Sequence, residues 1–169
     1  MTRQIAKIFV EAPIETVFRF ITDWRNVSRY ERFIERIEAV DNPRTTDRQR
    51  WAKSHFKLPG LHIRSLYRYW FLPPRRYGGA QVDGFFRSGF WFSLEEKDGG
   101  TFITHGEFIK SRYKFLEWFV GLVFWRLLFP KDIQRQLYKL KELLEDRRSP
   151  APSHVKGRLA RLAGQRLLD

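Results

Sequence analysis

The sequence predicts an α+β fold: a curved antiparallel sheet of about seven strands wrapped around a long C-terminal helix, with two short helices after the first strand. Three observations predict it. Between residues 34 and 110 the chain breaks into short runs rich in β-branched and aromatic residues, separated by turn-formers such as Pro59-Gly60, Pro73-Pro74 and Asp98-Gly99-Gly100. Further on, Ile133, Leu137, Leu140 and Leu144 recur at intervals of four, three and four, which marks one apolar helix face. Between these regions, residues 115–129 read FLEWFVGLVFWRLLF, apolar on every side of a helix except at Glu117 and Arg126.

In order along the chain, residues 4–11 alternate loosely and are β-branched enough for a first strand. Pro13 stands where a helix can begin, because its missing N–H is not needed in the first turn, and Val17, Phe18 and Ile21 follow at helical spacing. Asp23-Trp24-Arg25-Asn26 breaks that pattern before a second short helix at about residues 27–33. Strands are expected at residues 34–41, 48–57, 62–72, 76–85, 88–96 and 101–110, with Asn42-Pro43 turning the chain after the first of them. The apolar segment and the amphipathic one predict a helix over about residues 114–146, kinked at Pro130 or broken there into two. Lys131, Arg135, Lys139 and Lys141 keep much of its surface wet. The domain thus spans residues 1–146. Residues 147–169 read as a basic tail, opened by the linker-like Ser149-Pro150-Ala151-Pro152-Ser153 and flexible or weakly amphipathic through Val155, Leu159, Leu162 and Ala163.

Aromatic residues make up 17% of the 169, which suits a large interior or a pocket better than a compact aliphatic core. The absence of cysteine excludes disulfides and thiolate metal sites and fits a reducing cytoplasm. MTRQIAKIFVEAP enters a strand pattern without the charged region, apolar run and cleavage site of a secretory leader, so a cytoplasmic location is expected. Residues 115–129 fall short of the roughly 20 apolar residues that span a bilayer. The net charge is +13, and the tail holds only six Lys and Arg against one Asp, so most of the excess belongs to the domain. Such a field attracts acidic lipid or nucleic acid, or serves only solubility. There is no nucleophile elbow, glycine-rich phosphate loop or HExxH motif, and the four histidines make no metal spacing, so neither a metal nor a cofactor is expected.

Three stretches carry a family resemblance. The first is Ala12-Pro13-x-Glu15-x-Val17-Phe18-x-x-Ile21-x-Asp23, followed by Trp24 and Tyr30. The second is Gly89-Phe90-Trp91-Phe92, then Asp98-Gly99-Gly100-Thr101 and a strand ending at Glu107-Phe108. The third is QLYKLKELLE, Gln136 to Glu145. Covering about residues 5–145, they resemble in order and spacing the START/polyketide-cyclase (SRPBCC) superfamily, whose helix-grip fold is shared with birch pollen allergen. The resemblance implies an apolar pocket between sheet and C-terminal helix for lipids, quinones, polyketides or other hydrophobic molecules. It implies no fixed catalytic set, since members bind, carry or transform their ligands. The aromatic density of residues 115–129, Pro130 and the basic tail depart from the family pattern.

Within the strand at 62–72, Ile63, Ser65, Tyr67, Tyr69 and Phe71 share one face, expected to point inward, while His62, Arg64, Leu66, Arg68 and Trp70 share the other. Tyr67 and Tyr69 would place hydroxyls in the cavity, either orienting a ligand or satisfied within a filled core. In the strand at 88–96, hydrophobicity puts Phe90, Phe92 and Leu94 inside, whereas the family pattern would turn Trp91 inward. In the strand at 101–110, Phe102, Thr104 and Phe108 share one face and His105 and Glu107 the other. Thr104 and Phe108 are expected among the ligand contacts, with His105 and Glu107 on a half-exposed polar face. Facing inward, His105 and Glu107 would be an acid/base pair; His55 is similarly ambiguous. From the aromatic segment, Trp118, Phe119, Leu122 and Trp125 are expected to wall and cover the pocket.

These readings favour a binder or carrier of a hydrophobic small molecule over an enzyme. Tryptophans beside Lys110, Arg112, Lys114, Arg126 and Lys131 suit reversible contact with an anionic membrane at its inner face. The same segment could instead join two copies of the chain. A cyclase or aromatase and an RNA- or ribosome-interacting protein are the alternatives, nucleic acid being the less favoured partner because no RNP-type motif is present.

Overall fold

The computed structural model describes residues 2–58, 60–83, 86–111, 118 and 132–146. Strand β1 (Thr2–Val10) leads to helix α1 (Ile14–Thr22), a 3-10 turn (Trp24–Asn26) and helix α2 (Val27–Tyr30). Six strands follow: β2 (Ile34–Val40), β3 (Gln49–Leu58), β4 (Leu61–Leu72), β5 (Arg76–Gln81), β6 (Phe86–Lys97) and β7 (Gly100–Ser111). Helix α3 (Asp132–Glu145) closes the described chain. The strands form one antiparallel sheet in the order β1-β7-β6-β5-β4-β3-β2. This is the predicted architecture, a helix-grip arrangement in which α1 and α3 pack on the same sheet face.

Local chemistry sets the boundaries. Pro13 caps α1 with an extended backbone, and its carbonyl accepts the first helical bonds from Thr16 and Val17. The α1 stripe Ile14, Val17, Phe20 and Ile21 is fully buried. Asp23 ends the helix, and its carboxylate accepts from the Arg25 backbone N–H, starting the 3-10 turn. Strand β5 stops at Gln81, short of the predicted residue 85. There Val82 N–H donates to the Leu66 carbonyl and Leu66 N–H donates to the Asp83 carboxylate, which turns the chain off the sheet. Ile133, Leu137, Leu140 and Leu144 of α3 are buried. The far end of α3 is tied to β1: Lys141 Nζ donates to the Phe9 carbonyl at 2.9 Å, and Glu145 Oε1 accepts from the Glu11 N–H at 3.1 Å. Residues 114–117 and 119–131 of the predicted long helix, the fate of Pro130, and the tail 147–169 lie outside the described residues.

Candidate functional site

The inner sheet face is a ladder of aromatic rings. Tyr69 stacks on Tyr77 (6.2 Å, 13°), Tyr77 on Phe92 (6.2 Å, 12°) and Phe92 on the His105 imidazole (4.0 Å, 9°), so one stack crosses from β4 to β7. Phe71, also on β4, stacks on Tyr77 as well, and Phe90 meets Tyr69, Tyr77 and Phe92 edge-on. The strand register produces this, because Phe71, Tyr77, Phe92 and His105 are direct cross-strand neighbours. Tyr67, Tyr69, Phe71 and Phe92 are buried and Phe90 is half-buried, all on the predicted face. Ile63, at the end of that row, is exposed.

The tyrosine hydroxyls are taken up by the protein. Tyr69 shares a 2.7 Å hydrogen bond with Ser54 Oγ. Tyr67 donates to Ser88, whose hydroxyl donates to Gln81 Oε1, while Gln81 Nε2 donates to Ser65. Burial pushes the Tyr67 phenol up to about 12 and raises Tyr69 as well, so both remain protonated and serve as structural hydrogen-bonding groups.

Strand β7 reverses one expectation. Its inner face carries Thr101, Ile103, His105, Glu107 and Ile109; Thr104 and Phe108, expected to contact ligand, lie on the outer face instead. Both faces of β7 are partly apolar, so hydrophobicity alone does not fix its parity. What decides is the neighbour: Phe108 lies over Gly89 on the outside, where any side chain would collide with its ring. His55 also faces outward, buried beside Glu38 at 3.0 Å. Arg36, and then His55, hold the Glu38 carboxyl below the usual carboxylate range. Of the predicted aromatic wall, Trp118 is helical and 61% exposed; Phe119, Leu122 and Trp125 lie outside the described residues.

At one end of the aromatic ladder sits a polar cluster. His105 is only 2% exposed. Its Nδ1–H donates to the Trp91 carbonyl at 3.1 Å, which leaves Nε2 facing Glu107 Oε1 at 3.3 Å. One proton must lie between these two atoms, held by either the imidazole or the carboxyl, since otherwise two acceptors meet. From α3, Gln136 Nε2 donates to Glu107 Oε1 and to Asp132 Oδ2, each at 3.4 Å. Glu31, just after α2, receives the Phe33 N–H and lies within the field of Glu107 and Asp132. Desolvation first, then repulsion from Glu107, raises the Glu31 carboxyl well above its ordinary value. Desolvation likewise raises Asp132, against the nearby Arg32 guanidinium at 3.9 Å. The arrangement can hold a proton, donate it, or accept hydrogen bonds from a ligand's polar end. Among the described residues, no set of three or more His, Asp and Glu is placed to hold a metal ion.

The sequence reading missed Glu31, Asp132 and Gln136 as site residues. A signal existed for two of them: Asp132 and Gln136 fall on the same α3 stripe as Ile133, Leu137 and Leu140, and all five are buried. Polar residues on an apolar stripe point to an internal polar site. Glu31 carries no such mark.

The elevated Glu31 carboxyl gives a signed prediction. Its folded-state value lies above the reference of 4.5, so its contribution to stability is complete below about pH 4.5 and is lost as pH rises through the folded-state value. Glu31→Gln keeps an amide that can serve the same neighbours without the charge. It is expected to stabilise the protein at about pH 7, on the order of 1 kcal/mol, and to flatten the melting-temperature profile between about pH 4.5 and 7. Thermal melts across that range check it; an unchanged profile would mean that Glu31 is solvated.

The architecture recurs among solved structures at low sequence identity. A protein from Thermus thermophilus superposes with a TM-score of 0.69 at 17% identity, covering 87% of this chain and 99% of its own. The Zhui aromatase/cyclase from Streptomyces sp. R1128 superposes at 0.66 with 13% identity, covering 89% of this chain and 97% of its own. A START superfamily protein from Mycobacterium smegmatis gives 0.64 at 11% identity, covering 86% and 99%. No curated protein matches the sequence. A family model described as polyketide cyclase/dehydrase and lipid transport matches residues 1–145, and the chain belongs to that family.

Proposed function

We propose that the protein binds and carries a hydrophobic small molecule, lipid, quinone or polyketide-like, between the inner sheet face and the C-terminal helical region. The observation that carries this reading is the aromatic ladder from Tyr69 to His105, an apolar wall that ends in a polar cluster. A ligand with an apolar body and one polar end suits both parts. The Tyr67 and Tyr69 hydroxyls and both ring nitrogens of His105 have partners already, so the polar end pairs with Glu107 or Gln136. Native mass spectrometry of the purified protein, followed by organic extraction, tests it. A stoichiometric copurifying hydrophobic molecule is the expected result; an empty, fully stable protein that takes up no lipid, quinone or polyketide would overturn it.

Loading at an anionic membrane goes with this reading, since Trp118 is exposed and the chain carries a large positive charge. Trp118→Ala and Trp125→Ala are expected to weaken binding to vesicles containing phosphatidylglycerol by about threefold or more without changing the far-UV spectrum. Unchanged binding in both variants removes the membrane step.

A second reading, a cyclase- or aromatase-type enzyme, is favoured by the inward-facing His105–Glu107 contact, with the raised Glu31 carboxyl in the same electrostatic field. In that case Glu107 and His105 exchange a proton with the bound ligand.

A further inference from the structure

The outer face of the sheet, unused by the proposed ligand site, carries a second pattern. Two adjacent cross-strand rows set large side chains beside minimal ones, the first in strict alternation. One row runs Trp70, Gly78, Trp91, Gly106, Ile5. The next runs Trp51, Arg68, Ala80, Gly89, Phe108. Trp70 lies over Gly78, Trp91 over Gly106 and Phe108 over Gly89, each so close that a side chain on the glycine would collide with the ring. The rings are therefore laid down on the sheet and held by their neighbours, half-buried rather than projecting.

Between them run two open grooves. The first, about 390 Å³, lies between Trp70 and Trp91 and is flanked by Arg76. The second, about 320 Å³, carries Arg68, Arg87 and Lys110. They adjoin, sharing Ala80 and Phe108. All four cations are exposed, and among the described residues neither groove has a carboxylate in its lining and none of the four cations is in an ion pair.

An aromatic groove against a cationic one fits a flat ring joined to an anion, repeated along a strand. We infer that this face binds single-stranded nucleic acid, with bases against Trp70, Trp91 and Phe108 and phosphates on Arg68, Arg76, Arg87 and Lys110. Trp70 and Trp91 stand two strands apart, about 9–10 Å, too far for two bases stacked on each other, so each ring takes a separate, unstacked base. A duplex hides its base faces and cannot use the rings. A bilayer requires apolar side chains that project into the acyl region, whereas these rings lie flat in grooves.

The test is fluorescence anisotropy of a labelled 12-nucleotide oligouridylate with the full chain, at about 50 and 200 mM KCl. The wild type is expected to bind with marked salt dependence. Arg68→Glu with Arg87→Glu should weaken binding at least tenfold and lower the salt slope by about 1.4, two phosphate contacts at about 0.7 each. Trp91→Leu keeps apolar cover over Gly106 and should cost about tenfold through the lost stack. Arg19→Glu with Arg135→Glu removes the same charge from the helical side and should cost less than threefold. Equal losses in the two double variants would overturn the assignment, since the binding would then follow overall charge or the basic tail. So would absence of binding at about 100 μM protein in low salt, and so would vesicle binding that depends on Arg68 and Arg87 without RNA binding. None of these outcomes depends on what occupies the inner face.

Discussion

Leu140→Ala is expected to lower stability by about 3–4 kcal/mol, a large share of the roughly 5–15 kcal/mol that holds a domain of this size together. Leu140 is wholly inaccessible to solvent and lies midway along the α3 stripe, between Leu137 and Leu144. Truncation removes its apolar burial and leaves a void that the helix cannot collapse into. Two fixed points prevent that movement: the Lys141 contact to the Phe9 carbonyl, and the Gln136 bonds to Glu107 and Asp132. Tyr138 is on the same helix but exposed, and Tyr138→Ala should change stability by less than about 0.5 kcal/mol. Urea denaturation of the two variants gives the comparison. A Leu140→Ala cost below about 1.5 kcal/mol would mean that α3 does not bear on the sheet.

His105→Ala and Glu107→Gln should separate sharply. His105→Ala is expected to cost about 3 kcal/mol, because it empties the space stacked on Phe92 and leaves the Trp91 carbonyl without its donor. Glu107→Gln should cost less than about 1 kcal/mol. With Nδ1–H engaged by Trp91, a neutral imidazole presents Nε2 as an acceptor, and a glutamine amide can donate to it. The variant thus keeps the hydrogen bond to His105, gives up the long 3.4 Å bond from Gln136 to the same atom, and removes the proton that the native pair holds. If the protein is a carrier, Glu107→Gln retains the copurifying ligand. If it is a proton-transfer enzyme, the variant binds substrate but turns it over about a hundredfold or more slowly. Denaturation curves, extraction and turnover on one pair of proteins distinguish the roles.

Local pattern carried most of the fold. The turns at Pro73-Pro74 and Asp98-Gly99, the α1 stripe and the α3 stripe are contained in short windows of sequence, and each became the expected element. Parity was legible where the two faces of a strand differ in charge. In β4, Tyr67, Tyr69 and Phe71 oppose Arg64 and Arg68, and the tyrosines point inward as read. In β6, hydrophobicity correctly put Phe92 and Leu94 inside, with Trp91 outside over Gly106, against the family pattern. It failed in β7, where the phenylalanines face outward and a histidine and a glutamate face in. Gly106 marks the outer face only once Trp91 of β6 is laid over it, and Gly89, which takes the Phe108 ring, belongs to another strand, so residues 101–110 read alone do not discriminate the two arrangements. The polar cluster was hidden for a similar reason. Glu31 and Asp132 stand far apart in sequence, and only the packing of α3 beside α2 brings them into one electrostatic field.

The strand order has a consequence for synthesis. β1 pairs with β7 over its whole length and, through Phe9 and Glu11, with the last turns of α3. It therefore emerges from the ribosome about a hundred residues before its sheet partner. At about 5–20 residues per second, it waits on the order of 5–20 seconds with Ile5, Ile8, Phe9 and Val10 unpaired. The strands β2 to β7 can zip in sequence as nearest neighbours during that interval, so the first strand made is the last to be seated. Early exposure of this apolar strand is a natural handle for chaperones, and a weak point whenever translation stalls before residue 145.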